Sequence, residues 1–236
     1  MKQILKLTSV ALLSASAVSL ASAQTALVDF GTSNAAGSIG GNYFNVWNPG
    51  NNIDLLDTGG VTDTTWNLDS TTGAATNDGA SPDFVFTTPS APNPFNDDNI
   101  ISDALNLTNT QGTRNVRVNG LDINGSYDIV IFGTREATGT RITDYSVIGL
   151  TTVGGSLTTS GTAIGTGAVN YNNDTVFSAL GITPDANGRI TIEYSTASSF
   201  GYLSAMSVTS VPEPGAYALI AGFASLAWIA TRRRRA

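Results

Sequence analysis

The chain has 236 residues, no cysteine and no histidine, and 18 acidic residues against 11 basic ones. Those absences exclude a Ser-His-Asp triad, a thiolate nucleophile and a disulfide staple, and leave only carboxylates for a zinc site. Six of the basic residues (Lys2, Lys6, Arg232, Arg233, Arg234 and Arg235) lie at the two ends, so residues 24–210 hold five arginines, no lysine and 17 acidic residues, a net charge of −12 that repels nucleic-acid phosphates.

Residues 1–23 have the three parts of a secretory signal: a positive head at Lys2 and Lys6, an apolar run over 7–20, and small residues at Ala21-Ser22-Ala23. Cleavage after Ala23 makes Gln24 the new N-terminus. An acidic, lysine-free body rich in Thr, Ser, Asn and Gly fits an exported surface protein.

Residues 24–210 form one domain whose apolar residues alternate instead of recurring every three or four positions. In chain order the pattern predicts strands over 26–30, 64–68, 84–87, 114–118, 127–132, 140–150, 189–194 and 202–208. The run Ile129-Val130-Ile131-Phe132 is apolar throughout and predicts a strand buried on both faces. Asn119-Gly120, Asn124-Gly125, Gly154-Gly155 and Asn187-Gly188 predict turns. Asn124-Gly125 is expected to supply a left-handed reversal, after which the Tyr127 ring packs and its hydroxyl bonds to a loop. No window carries a helical stripe. The expected fold is all-β, a two-sheet antiparallel β-sandwich or jelly roll of roughly 10 to 13 strands.

Three chemistries compete for the body. Sugars stack their C–H faces on aromatic rings while polar groups read hydroxyls, which selects Tyr43, Trp47, Trp66 and Tyr171 with Arg135 and Arg141 as ligand-binding candidates. Trp47 leads, because Asn48-Pro49-Gly50-Asn51-Asn52 places it beside a loop; the alternative is that both tryptophans pack in the core. Calcium wants oxygen ligands. Asn93, Asn96, Asp97, Asp98 and Asn99 cluster in one proline-punctuated loop, with Asp29 at the end of the first strand, although EF-hand spacing is absent and a solvated acidic loop is the favoured explanation of the cluster. Glycoside hydrolysis needs paired carboxylates. The glutamates are Glu136, Glu193 and Glu213, of which Glu193 alternates outward on a strand and Glu213 belongs to the tail, so no catalytic residue is assigned. The glycine-rich stretch 161–167 lacks the Lys-Ser/Thr of a phosphate loop.

Residues 211–236 read as an anchor. Pro212-Glu213-Pro214 breaks the chain, 215–231 is seventeen residues without a charge, the lower limit for crossing a bilayer of about 30 Å, and four arginines follow. Positive residues resist translocation, so the arginines stay cytoplasmic and the body lies outside. This order of motif, apolar helix and basic cluster resembles the PEP-CTERM sorting signal of Gram-negative bacteria. The resemblance covers about the last tenth of the chain. It implies recognition by an exosortase, after signal peptidase has acted at the other end, and release or transfer of the body to the cell surface or an exopolysaccharide matrix. A plain single-span anchor predicts the same topology without processing.

The body in turn resembles the galactose-binding-like β-sandwich domains often placed ahead of such tails. The matching features are Val28-Asp29-Phe30-Gly31, the stretch from Gly120 to Tyr127, Arg135, Arg141 and the closing strand from Tyr202. The resemblance implies a jelly roll whose relatives commonly bind carbohydrate through variable loops. It carries over no catalytic residue and no required cofactor. A structural or adhesive matrix protein is the alternative function.

Overall fold

The computed structural model of the protein describes residues 23–31, 37–39, 42–47, 51–60, 63–70, 95, 104–212 and 222–223. Residues 1–22 of the predicted signal over 1–23, the predicted strand over 84–87 and the tail beyond Pro212, apart from two helical residues at 222–223, lie outside the described residues.

Fourteen strands are described: β1 Thr25–Phe30, β2 Gly37–Ile39, β3 Asn42–Trp47, β4 Ile53–Leu56, β5 Asp63–Asp69, β6 Leu105–Thr108, β7 Arg114–Asn119, β8 Ser126–Phe132, β9 Arg141–Ile148, β10 Thr152–Ser160, β11 Phe177–Ile182, β12 Ile190–Ser195, β13 Phe200–Leu203 and β14 Ala205–Val211. They form a first sheet in the order β11-β8-β14-β1-β3-β2, a second in the order β10-β9-β12-β7-β5-β4, and a β13-β6 ribbon.

Alternation dictates which face each strand buries. Val116 and Val118 of β7, Tyr145 and Val147 of β9, and Ile190, Ile192 and Tyr194 of β12 are buried, while their sequence neighbours are half-buried or exposed. These side chains meet Val28, Phe30, Ile129, Ile131, Met206 and Val208 of the first sheet in one core. Burying each such side chain stabilises the fold by about 1.5–3 kcal/mol. A second, smaller core lies on the outer face of the first sheet, where Leu27, Phe44, Phe132 and Ala205 are joined by Phe95 and Tyr171. That outer core is why the run Ile129–Phe132 of β8 is apolar throughout: Ile129 and Ile131 face one core, Phe132 and Val130 the other.

Four local expectations are corrected. The strand expected over 202–208 breaks at Ser204, whose backbone joins Phe30 and Phe132, so β13 leaves for the ribbon and β14 for the first sheet. Gly154-Gly155 is not a turn but part of β10, where Gly155 lets the Phe177 ring approach to 2.6 Å from the place a Cβ would take. The Asn124-Gly125 reversal is not left-handed. It is a turn closed by Gly125 N donating to Asp122 O, with the Asp122 carboxylate accepting from Asn124 N, and neither residue takes positive φ. Finally, β1 and β3 run parallel, because the β2–β3 hairpin folds back beside β1. Tyr127 behaves as expected: its ring packs edge-on to Trp66 at 5.6 Å and its hydroxyl accepts from Asp122 N at 2.9 Å.

Strand directions give the sandwich two ends. The lower end collects Thr25, Val211, the 120–125 and 183–189 loops and the β9–β10 turn. The upper end collects the 133–140, 161–176 and 196–199 loops and the start of β9.

Candidate functional site

The upper end is built around Asn172. Its Nδ2 donates to Gly133 O at 3.0 Å and to Thr175 O at 2.8 Å, and its Oδ1 accepts from Thr175 N at 3.0 Å. Thr134 Oγ1 donates back to Asn172 O at 2.6 Å. The backbone nitrogens of Arg135 and Asn172 both donate to Thr159 O, and Ala137 N donates to Asn170 O. Asn173 clamps Thr166 through both its backbone N and O. Loops 133–140 and 161–176 are therefore held as one layer by satisfied buried polar groups.

Beside that layer stands an aromatic and cationic cluster. Gly133 has no Cβ, and the space is taken by the Tyr145 hydroxyl, which donates to Tyr202 O. Burial pushes the Tyr145 phenol well above its usual range. Arg141, at the first position of β9, donates from Nη1 to the Tyr202 hydroxyl. Its guanidinium lies 4.7 Å from the Phe200 ring centre and 5.6 Å from that of Tyr202, a cation–π arrangement. The 196–200 segment is pinned by Thr196 Oγ1 donating to Ile142 O at 2.6 Å and Ile142 N donating to Ser198 Oγ at 3.0 Å. Arg141 is half-buried, and no carboxylate among the described residues pairs with it. The result is a guanidinium held beside two rings by one side-chain hydrogen bond, with donors left over, bordered by threonine, serine and asparagine loops.

The sequence candidates are only partly brought together. Arg135 and Arg141 both reach the upper end, each half-buried. Trp47 also lies at that end but not as a platform: it is fully buried, edge-on to Phe30 at 5.9 Å, with Nε1 donating to Asn51 O at 2.8 Å. The buried indole is thus anchored to Asn51, which corrects the expectation that Trp47 would be exposed. Tyr171 is buried in the outer core and bridges Ser160. Trp66 and Tyr43 sit at the lower end. Trp66 is buried against Tyr127, and the half-buried Tyr43 ring covers Gly60, whose φ of +68° makes a turn that leaves no room for a Cβ. Phe200 and Tyr202 were not among the sequence candidates for this site. The pairing of Arg141 with Tyr202 spans 61 residues and leaves no local signal.

Asp29 is fully buried on the outer-face side of β1, with Ala205 opposite it and Phe132 beyond. Phe95 stacks on Phe132 at 5.9 Å, so the fold brings Asp29 and Phe95, the neighbour of Asn96, Asp97 and Asp98, to one face of the first sheet. Asn93, Asn96, Asp97, Asp98 and Asn99 themselves lie outside the described residues, as do Ala21, Glu213, Pro214, Arg232, Arg233, Arg234 and Arg235. Among the described residues no three acidic groups converge as a metal cluster. Ala23 and Gln24 precede β1, and Pro212 follows β14.

No protein-family model matches the chain, and no curated protein matches it. Among solved structures the chain is similar to the insecticidal delta-endotoxin Cry8Ea1 from Bacillus thuringiensis, at 19% identity and a TM-score of 0.30, over 46% of this chain and 20% of the toxin. It is also similar to TmCBM61, solved in complex with β-1,4-galactotriose, at 14% identity and a TM-score of 0.29, over 64% of this chain and 90% of that one. The match therefore spans about a fifth of the toxin's length.

Proposed function

We propose that the protein is an exported, non-catalytic carbohydrate-binding module on a galactose-binding-like jelly roll, presented at the cell surface or in an exopolysaccharide matrix. Signal peptidase removes 1–23, the 215–231 segment holds the chain in the membrane with the body outside, and an exosortase acts on the PEP-CTERM tail. Pro212-Glu213-Pro214 and the four terminal arginines support the sorting part of this reading.

One observation carries the binding part. Arg141 is held beside Phe200 and Tyr202 at the end of the sandwich opposite Thr25 and Val211. A guanidinium offers parallel N–H donors that match a pair of vicinal hydroxyls, and the polar loops around it supply further donors and acceptors. The acidic body opposes polyanions, so a neutral polysaccharide is the favoured ligand class.

The burial of Trp47, Trp66 and Tyr171 favours a second reading, a structural or adhesive matrix protein without a specific ligand. Binding of the exported protein to the producing cell's own polysaccharide separates the two. Under the first reading binding is saturable, Arg141→Ala weakens it about tenfold, the worth of one hydrogen bond to a charged group, and Phe200→Ala weakens it by freeing the guanidinium it packs against. Arg141→Lys keeps the charge but loses the planar fork, and is expected to fall between. Absence of saturable binding by the intact protein favours the second reading. Repeating the isotherm with calcium and with chelator tests whether Asp29 and the 93–99 segment hold a structural ion.

A further inference from the structure

Among the described residues of the sandwich, Leu150 is 67% exposed, Leu180 64%, Ile123 50% and Val211 36%, and all four lie at the lower end; only Ile142, 40% exposed, shows a comparable apolar side chain at the upper end. Backbone pairing places the four in one neighbourhood. Ile123 is in the turn that feeds β8, and Val211 pairs with Ser126, the first residue of β8. Leu180 sits in the β11 irregularity opposite Tyr127 and Ile129, and Leu150 N donates to Thr183 O just past β11. Exposed apolar side chains gathered at one tip of a sandwich lose contact with water only by meeting another apolar phase.

The chain itself indicates which phase. Both ends of the domain leave at this tip: Gln24 N donates to Ser210 Oγ and Ser210 N to Gln24 O, each at 2.8 Å. After Val211 only Pro212, Glu213 and Pro214 precede the uncharged stretch 215–231. Three residues reach at most about 10 Å. A body tethered that closely cannot stand clear of the headgroups, and its nearest surface is the tip carrying Leu150 and Leu180.

We propose that the lower tip is a membrane-contacting surface, with Ile123, Leu150, Leu180 and Val211 resting in the interface of the outer-facing leaflet while the upper end points away from it. The proposal rests on the reading of 215–231 as a membrane span. Apolar side chains enter the interfacial region readily. The tip also carries Asp122, Asp128 and the Asp185–Arg189 ion pair, so a zwitterionic leaflet suits it better than an anionic one.

The chain has no cysteine, so single substitutions give unique labels. The full chain is reconstituted in phosphatidylcholine vesicles with an environment-sensitive fluorophore at Ile123→Cys, Leu150→Cys or Leu180→Cys, at Thr138→Cys on the upper end, or at Ala224→Cys in the apolar stretch. Lipids with a nitroxide on the headgroup or on the acyl chain serve as quenchers. The expected result is a blue shift and loss of emission to the headgroup nitroxide at the three tip positions, neither change at Thr138→Cys, and loss to the acyl-chain nitroxide at Ala224→Cys. A quenched Ala224→Cys label with water-exposed tip labels overturns the tip contact and leaves the anchor standing. Tip labels shifted to the blue but unreached by either nitroxide report a second copy on the tip, which also overturns it. An unquenched Ala224→Cys label overturns the anchor and the inference together.

Discussion

Asn45 is buried between the sheets, and its amide is fully used: Nδ2 donates to Leu27 O at 3.0 Å and Leu56 O at 2.8 Å, and Oδ1 accepts from Leu56 N at 2.9 Å. It ties β1 and β3 to β4 across the open side of the sandwich. Asn45→Ala leaves those backbone groups without their partner, and is expected to lower the unfolding free energy by about 2 kcal/mol in a urea titration. Two tyrosines set an alkaline limit. Burial raises the Tyr145 phenol, and it raises that of Tyr127 too, against the Asp122 N–H bond and with help from the Asp122 carboxylate. The fold keeps both phenols protonated beyond the pH, about 10, at which an unfolded chain releases them. Their contribution is therefore complete below that pH and is lost as pH rises through the higher folded values. Urea midpoints are expected to hold level to about pH 10 and fall above it; a midpoint at pH 11 equal to that at pH 8 contradicts this account.

At the scale of elements, the sandwich is joined by turns that need particular residues. Gly120 ends β7 at φ +78°, and a Cβ there would stand 2.2 Å from Thr65 O of β5. Gly112 takes a similar φ of +67° in open space. Gly112→Ala is thus expected to cost about 1 kcal/mol from backbone strain alone, and Gly120→Ala more, because β5 must shift. Equal melting shifts for the two variants would mean that β5 gives way freely. The Asp185 turn before β12 is held the same way as the Asp122 turn. Its carboxyl is partly desolvated, which alone would raise its pKa, yet bonds from Asn187 N and Arg189 N and from the Arg189 side chain hold it below the usual carboxylate value.

The whole molecule is polarised. Among the described residues, Gln24, Val211 and most exposed aliphatic side chains occupy one end, and the polar loops with Arg141 the other. If the domain is tethered at its apolar tip as proposed, the opposite end faces away from the membrane, and the acidic body repels polyanions. Whether the tether is permanent is decided by mass. If an exosortase processes the tail, intact mass spectrometry of the exported protein shows the loss of Arg232, Arg233, Arg234 and Arg235; peptides retaining them in the exported fraction contradict processing.

Strands with strict alternation were legible in the sequence. In β7, β9 and β12 each residue's face follows from its neighbour, because side chains point to opposite sides of a strand. The all-apolar run of β8 announced burial on both faces, and Tyr127 announced its own packing. The strands β2, β3, β4, β6, β10 and β11 went unread. Gly154-Gly155 hides β10, and its strand character comes from pairing with β9. The Asn45 clamp and the parallel β1–β3 pair arise from how distant segments meet. So does the site. Arg141 was visible as a residue, but the rings beside it are supplied from about 60 positions away, and Trp47 was read outward from a loop that turns it inward. Composition and local period thus determined the all-β class, the acidic body and the faces of the best strands. Tertiary structure alone decided which strands pair, which rings are covered and which polar groups converge, since those outcomes depend on contacts between residues far apart in the chain.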